Sequence, residues 1–253
     1  MHHRIPTLIL ACCSATLIAT GSMHAATLRA LSAEIFATTE PQPAPNPWYE
    51  PEIRAFEAAD RASPPAPGQV LFIGSSSIRM WKSLAEDMAP APVIKRGFGG
   101  STTPDVLAVF DRIARPYAPS IIVYYCGDND LGGDNPDAAA AAEGFLSFER
   151  LAREAWPDVE VMYIAIKPSI SRWRNWEAME RANGIVRDHC EQTPGSTFLD
   201  IAAPMLTKAG VPDPTLFLED GLHLNDKGYA AWTTVVRPAV TEAWSRVQKR
   251  RGL

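Results

Sequence analysis

The chain has 253 residues, of which 46% are hydrophobic and 21% are charged. These proportions are close to those of soluble globular proteins, and they exclude a fibrous architecture and disorder of the whole chain. The 24 basic residues are outnumbered by 29 acidic ones, giving a formal net charge of -5, so nucleic acid is not expected as a partner.

Residues 1–25 are predicted to be a secretory signal peptide. Arg4 precedes an apolar segment at residues 5–20, and small residues follow it around Ala25. The segment is short for a membrane span, which needs about 20 residues, so we expect cleavage near Ala25 and no integral span in the processed chain. The protein is then exported, to the periplasm or out of the cell. An uncleaved anchor and a lipoprotein acylated at Cys12 are the two alternatives.

Residues 26–67 are predicted to form a proline-rich arm in front of a single domain at residues 68–253. Prolines are concentrated at residues 41–67, where they favour extended, polyproline-like backbone. A short helix is expected at residues 53–61. Trp48 and Tyr49 are expected to dock the arm onto the domain.

Within the domain, short apolar segments alternate with segments that have the spacing of helices. The expected strands are residues 70–73, 92–95, 121–125, 159–166 and 197–201, and the expected helices are residues 78–85, 104–114, 137–155, 173–190 and 226–249. Such alternation predicts an α/β fold, a three-layer α/β/α sandwich around a mainly parallel sheet of roughly five strands. Ligands of such sheets bind beyond the carboxyl ends of the strands, so functional residues are expected in the loops there.

The first of these loops contains three adjacent serines, Ser75, Ser76 and Ser77, between a predicted strand that ends at Gly74 and a predicted helix. A serine at this junction lies at the edge of the sheet where ligands bind, which suits a nucleophile. Serines at this position are also common helix caps. This loop alone therefore leaves both interpretations open.

Two further loops carry groups that donate hydrogen bonds. Glycines at residues 97–100 allow the backbone to come close to a ligand and to direct an amide at it. Asn129 follows the strand at residues 121–125, and its side-chain amide offers a second donor. Glycine and asparagine are also ordinary turn residues, so neither loop is specific by itself.

His223 lies in the loop before the last predicted helix, three residues after Asp220. A neutral imidazole that acts as a base needs a carboxylate or carbonyl to fix its tautomer, and Asp220 is close enough in a turn to do so. A solvated loop histidine is the alternative. A nucleophile, amide donors and an oriented base at one edge of one sheet are the groups that acyl transfer requires.

The remaining cysteines and histidines do not indicate a metal site. Cys126 and Cys190 are far apart in the sequence and are predicted to be buried free thiols, with a disulfide between them as the alternative. Neither His189 nor His223 has a second histidine three or four residues away. Neither a metal nor a cofactor is therefore predicted.

In their order along the chain, four segments resemble the four sequence blocks of the SGNH (GDSL-type) hydrolase superfamily. They are residues 73–78, 97–103, 127–130 and 220–223. The resemblance covers most of the processed chain and implies the flavodoxin-like α/β fold of that superfamily. In the serine block, Ser75 stands where the family commonly has aspartate.

The resemblance also implies a role for each site residue. Ser76 corresponds to the nucleophile, His223 to the general base and Asp220 to the residue that orients the base. The oxyanion hole is expected to consist of donors from Ser76, Gly100 and Asn129.

The function implied by the resemblance is a serine esterase that cleaves carboxylic esters through an acyl-enzyme. No long apolar lid is evident, so short acyl groups such as acetyl are favoured, on small molecules or on glycans. The alternatives are a non-catalytic module that binds esters or glycans, and a lipase, lysophospholipase or thioesterase. Trp81, Trp173 and Trp176 are candidates for lining the substrate site, although packing in the core is as common a use of tryptophan. The sequence does not indicate an oligomeric state.

Overall fold

A computed structural model of the chain describes residues 47–252. The predicted signal peptide, Cys12 and the first part of the proline-rich arm lie outside these residues. The described residues contain a five-stranded parallel sheet with the strand order β2-β1-β3-β4-β5. Its strands are β1 (Val70–Gly74), β2 (Val93–Gly97), β3 (Ile121–Tyr125), β4 (Glu160–Ile164) and β5 (Ser196–Leu199).

The central strands are apolar throughout because both faces of the sheet are covered. Every residue of β1 and of β3 is buried, as is typical of parallel strands packed between two layers of helices. Gly74 at the end of β1 pairs in register with Gly97 on one side and with Tyr125 on the other. The loops after these three strands therefore begin at the same level of one edge of the sheet.

Helices lie on both faces of the sheet and enclose two apolar clusters. One cluster includes Phe145 and Met179, and the other includes Trp81 and Trp232. The predicted three-layer α/β/α sandwich with a five-stranded parallel sheet is thus confirmed. The α-helices are α1 (Glu50–Ala62), α2 (Ser76–Arg79), α3 (Leu84–Asp87), α4 (Thr103–Ala108), α5 (Phe110–Ile113), α6 (Ala138–Ala155), α7 (Trp176–Gln192) and α8 (Asp226–Arg251).

Two predicted helices are each divided into shorter ones. The segment predicted as a helix at residues 78–85 forms the single turns α2 and α3. Trp81, between them, buries its ring completely and donates its indole N–H to Asp87 at 2.6 Å. The segment predicted at residues 104–114 is divided at Val109, whose φ of -110° and ψ of 8° depart from helical geometry. Hydrophobic spacing alone does not indicate such interruptions.

Helix α1 begins three residues earlier than predicted because Pro51 lies in its first turn. Proline favours this position, since its fixed φ suits a helix and its missing N–H has no helical partner there. The helix is attached to the domain by Arg112, which donates to Glu57 at 2.7 Å and to Glu50 at 2.7 and 3.1 Å. Tyr49 packs edge-on against Phe98, with ring centroids 5.3 Å apart, as the predicted docking of the arm requires.

Cys126 and Cys190 are both buried and both free, in agreement with the prediction of unpaired thiols. Among the described residues, no group of three or more histidine, cysteine, aspartate or glutamate side chains is arranged to hold a metal ion. No helix within residues 47–252 combines the length and the apolar character needed to cross a membrane.

Candidate active site

The turn after β1 presents Ser76 at the edge of the sheet. Gly74 has a φ of +139°, and a Cβ there would lie 1.8 Å from the carbonyl oxygen of Tyr125, so only glycine fits. The chain then enters α2, with Ser76 as its first residue. Ser75 and Ser77 are each 1% exposed, whereas Ser76 is 8% exposed. Of the three serines, Ser76 is the one whose Oγ lies within hydrogen-bond distance of His223.

Ser76, His223 and Asp220 form a continuous chain of hydrogen bonds. His223 Nε2 lies 3.0 Å from Ser76 Oγ, and His223 Nδ1 lies 2.6 Å from Asp220 Oδ2. The other carboxylate oxygen of Asp220 accepts the backbone N–H groups of Leu222 and His223, both at 2.9 Å. The carboxylate is therefore fixed by its own turn, and a carboxylate at Nδ1 favours the tautomer that leaves Nε2 free to accept a proton from Ser76.

The ionisation of Asp220 matches this geometry. Partial burial tends to raise the pKa of Asp220, but the hydrogen bonds from the His223 ring and from two backbone N–H groups outweigh it and lower the pKa to about 2. The carboxylate is therefore ionised at neutral pH, and it can stabilise a positively charged imidazole.

Gly100 and Asn129, the two other predicted oxyanion donors, lie in loops that meet at Ser101. The completely buried Ser101 directs its Oγ to the carbonyl oxygen of Gly74 at 3.4 Å. Its own carbonyl accepts the side-chain Nδ2 of Asn129 at 2.9 Å. Gly100 has a φ of +71°, a left-handed conformation that favours glycine. One residue thus connects the serine turn, the glycine loop and the asparagine loop.

A buried ionic cluster beside Asn129 was not predicted from the sequence. Asp128 is 4% exposed and forms ion pairs with Lys167, itself 1% exposed, and with Arg172 at 2.6 Å. Burial tends to raise the pKa of Asp128, but the two cations outweigh it, so its pKa is lower than usual. Lys167 follows the end of β4 by three residues, a position that the strand-end rule alone could have indicated.

Three exposed apolar side chains, Trp48, Ile170 and Leu218, border the site and are called the apolar rim below. Their exposed fractions are 59%, 45% and 43%. The Trp48 ring lies 3.4 Å from where a Cβ on Gly100 would be. The Cβ of Ile170 lies 3.1 Å from where a Cβ on Gly221 would be. The backbone N–H of Leu218 donates to the carbonyl of His223 at 2.8 Å. Of the tryptophans, only Trp48 lies in this rim.

Of the two uses considered for Trp81, lining the substrate site and packing in the core, the structure shows packing in the core. Trp81 is fully buried, stacks on Tyr229 and packs edge-on against Trp232. It belongs to the core because the broken helix turns its ring inward. Trp173 and Trp176 stack on each other, with ring centroids 5.8 Å apart and planes 14° apart, and are only partly buried.

A second group of serine, histidine and carboxylate lies on another part of the molecule. The buried Glu149 accepts from Ser196 and from His189 Nε2, and it pairs with Arg153. These residues do not form a nucleophile and base, because Ser196 and His189 both bind the carboxylate rather than each other. The cluster connects α6, α7 and β5, and a cavity of about 470 Å³ lined by Glu149 and His189 shares no residue with the site.

Comparisons with known proteins show the family and the fold of the chain. The chain matches the model of the GDSL-like lipase/acylhydrolase family over residues 73–231, and no curated protein matches it in sequence. A Streptococcus pneumonia protein proposed to be a platelet activating factor aligns with a TM-score of 0.67 and 18% identity, over 87% of this chain and 100% of its own. A GDSL-like lipase from Bacteroides thetaiotaomicron aligns with a TM-score of 0.63 and 18% identity, over 76% of this chain and 98% of its own. A variant of an acetyl-xylooligosaccharide esterase from Geobacillus Stearmophilus aligns with a TM-score of 0.57 and 16% identity, over 69% of this chain and 94% of its own.

Proposed function

The chain belongs to the GDSL-like lipase/acylhydrolase family, and on this basis we propose that it is a serine esterase that cleaves short-chain carboxylic esters through an acyl-enzyme. The observation that carries the proposal is the pair of hydrogen bonds from Ser76 Oγ through His223 to Asp220. A hydroxyl, an imidazole and a carboxylate in this arrangement are the groups of nucleophilic catalysis on acyl carbon.

In the proposed reaction, Ser76 Oγ attacks the ester carbonyl while His223 Nε2 accepts the hydroxyl proton. The negative charge that develops on the carbonyl oxygen is stabilised by the backbone N–H groups of Ser76 and Gly100 and by the side chain of Asn129. The tetrahedral intermediate then releases the alcohol, which takes the proton from His223. Water, activated by the same imidazole, hydrolyses the acyl-enzyme and restores the free hydroxyl.

Activity on a chain-length series of esters tests this proposal. Turnover of p-nitrophenyl acetate should exceed that of the butyrate and the octanoate. It should fall to background in Ser76→Ala and in His223→Ala, while Asn129→Ala should lose about 100- to 1,000-fold in kcat. Variants as active as the wild-type protein would refute the assignment. A folded protein that hydrolyses none of these esters would favour a module that only binds esters or glycans.

For the alcohol part of the substrate, we propose a carbohydrate. The exposed ring of Trp48 lies beside Gly100, and the ion pair of Arg79 and Glu52 lies next to it, with the Arg79 guanidinium 2.8 Å from where a Cβ on Gly99 would be. Sugars bind proteins through such combinations, because an aromatic face packs on the C–H groups of the ring and polar side chains bind its hydroxyls. The Geobacillus esterase, which shares the fold, acts on acetylated xylo-oligosaccharides.

Replacement of Trp48 distinguishes this substrate class from a simple acyl ester. Trp48→Ala should raise KM for acetylated xylo-oligosaccharides by about 5- to 10-fold and leave KM for p-nitrophenyl acetate within about twofold. Ile185→Ala is the matched control, since Ile185 is 42% exposed and lies outside the apolar rim. An equal rise in KM for both substrates would show that Trp48 does not contact the sugar.

We also propose that the protein is exported and that residues 1–25 are removed. The proposal rests on the basic start, the apolar segment and the small residues that follow it. Mass spectrometry of the protein from the periplasm and the culture medium should give a chain that starts near residue 26. A chain that retains residue 1, or that carries lipid on Cys12, would contradict cleavage near Ala25.

A further inference from the structure

Building on the esterase function proposed above, we propose that Arg172 is a positioning residue that fixes the side-chain amide of Asn129 with an N–H available to the reacting ester oxygen. Arg172 lies 43 residues from Asn129 in sequence. It belongs to none of the four sequence blocks that resemble the family. Its side chain is 18% exposed and reaches the asparagine loop from the segment between β4 and α7.

The two hydrogen bonds of Asn129 permit only one orientation of its amide. Arg172 Nη2 donates to Asn129 Oδ1 at 2.8 Å, and Asn129 Nδ2 donates to the carbonyl of Ser101 at 2.9 Å. A guanidinium can only donate and a backbone carbonyl can only accept. A flipped amide would therefore place donor against donor and acceptor against acceptor. In the observed orientation, one N–H of the amide is used by Ser101 and the other is left for a ligand.

Arg172 is itself held in one place. Its Nη1 donates to both the carbonyl and the carboxylate of Asp128, each at 2.6 Å. The guanidinium also packs against Gly132, where a Cβ would lie 2.9 Å from Arg172 Cζ. The carboxylate of Asp128 is fixed in turn by Lys167 and by the hydroxyl of Tyr125. The amide of Asn129 is therefore oriented by a rigid ionic cluster rather than by a mobile surface side chain.

The charge of the cluster favours the transition state. Two cations, Arg172 and Lys167, surround one carboxylate, Asp128, and Arg172 is the cation that contacts Asn129. A charged donor on Oδ1 polarises the amide and strengthens its remaining N–H as a donor. This effect grows as negative charge develops on the ester oxygen, so it is expected in kcat rather than in KM.

Substitution of Arg172 tests the inference. On p-nitrophenyl acetate, Arg172→Met should lower kcat by about 10- to 100-fold while KM stays within about threefold. Arg172→Lys should recover only part of the loss, because an ammonium is a point charge and cannot bind Asp128 and Asn129 as a planar fork does. Arg174→Met is the matched control, since Arg174 lies in the same segment, is 66% exposed and pairs with the exposed Asp134. Its kcat should be unchanged.

A double-mutant cycle separates positioning from general stability. If Arg172 acts through Asn129, Arg172→Met should cost less than about threefold in kcat once Asn129→Ala is present. Gly132→Ala provides a second route should Arg172→Met fail to fold. It displaces the guanidinium without removing it and should also lower kcat.

Failure of the inference about Arg172 and failure of the proposed esterase function give different results. Independent, multiplicative losses from Arg172→Met and Asn129→Ala in an active enzyme would overturn this inference alone. A folded wild-type protein without activity on any ester would overturn the proposed function, and this inference with it.

Discussion

His223 Nε2 lies 3.0 Å from Ser76 Oγ, although the two residues are 147 positions apart in the sequence. A buried hydrogen bond helps to fix this contact. Tyr229, in the first turns of α8, donates its hydroxyl to the carbonyl of Ser77 at 2.9 Å. The helix that follows His223 is thus attached directly to the turn that carries Ser76.

Removal of the Tyr229 hydroxyl should therefore weaken both stability and activity. Tyr229→Phe leaves the ring in place but leaves the carbonyl of Ser77 without this donor. We expect the free energy of unfolding to fall by about 1–3 kcal/mol. We also expect kcat to fall, because the distance between His223 and Ser76 is less well defined. Urea denaturation and ester hydrolysis measure the two effects, and a variant identical to wild type in both would contradict this role.

The serine turn should not tolerate a side chain at Gly74. Gly74→Ala places a Cβ 1.8 Å from the backbone oxygen of Tyr125, at a φ of +139°. The clash involves main-chain atoms of the central strand, so we expect the free energy of unfolding to fall by more than about 4 kcal/mol, or the variant to give no soluble protein. Gly133→Ala is the control, because nothing lies within 4 Å of a Cβ there. It should lower the free energy of unfolding by less than about 1 kcal/mol. Equal stability of the two variants would show that the turn is more adaptable than described.

The low pKa of Asp220 predicts how its contribution depends on pH. Its pKa of about 2 in the folded protein is below the ordinary value of 3.8, so the carboxylate stabilises the fold above about pH 4 and loses this effect as the pH falls toward 2. Because Asp220 is 46% exposed, solvent screening limits the contribution to at most about 1 kcal/mol. The difference in unfolding free energy between wild type and Asp220→Asn should therefore be present at neutral pH and shrink in acid.

Activity should respond differently from stability. The carboxylate of Asp220 is ionised at neutral pH and orients His223 there, so Asp220→Asn should lose about 1,000-fold or more in kcat near pH 7. Ester hydrolysis at neutral pH measures the effect, and an Asp220→Asn variant that keeps wild-type kcat there would contradict this role of Asp220.

Local sequence patterns were sufficient to predict the sheet and the order of its loops. Strands such as β1 and β3 are continuous apolar segments, and the motif residues Ser76, Asp220 and His223 stand in loops at the expected edge. Their contacts agree with the predicted arrangement, and their catalytic roles remain predictions.

What the sequence did not indicate depends on contacts between distant segments. Arg172 and Lys167 belong to no motif, and they contact Asp128 only because their loop folds over it. The sequence left the position of Trp81 open for a related reason. Composition does not reveal which face of a broken helix is buried, and the exposed tryptophan beside the site is Trp48, in a segment that the sequence presented as an arm.

The central claim is that Ser76 is the activated nucleophile, and active-site labelling tests it most directly. A fluorophosphonate forms a stable adduct with a serine that a neighbouring base activates. Fragmentation of the labelled peptide by mass spectrometry should place a single adduct on Ser76, and His223→Ala should slow labelling by about 100-fold or more. An adduct on Ser75 or Ser77, or no adduct on the folded wild-type protein, would contradict the claim.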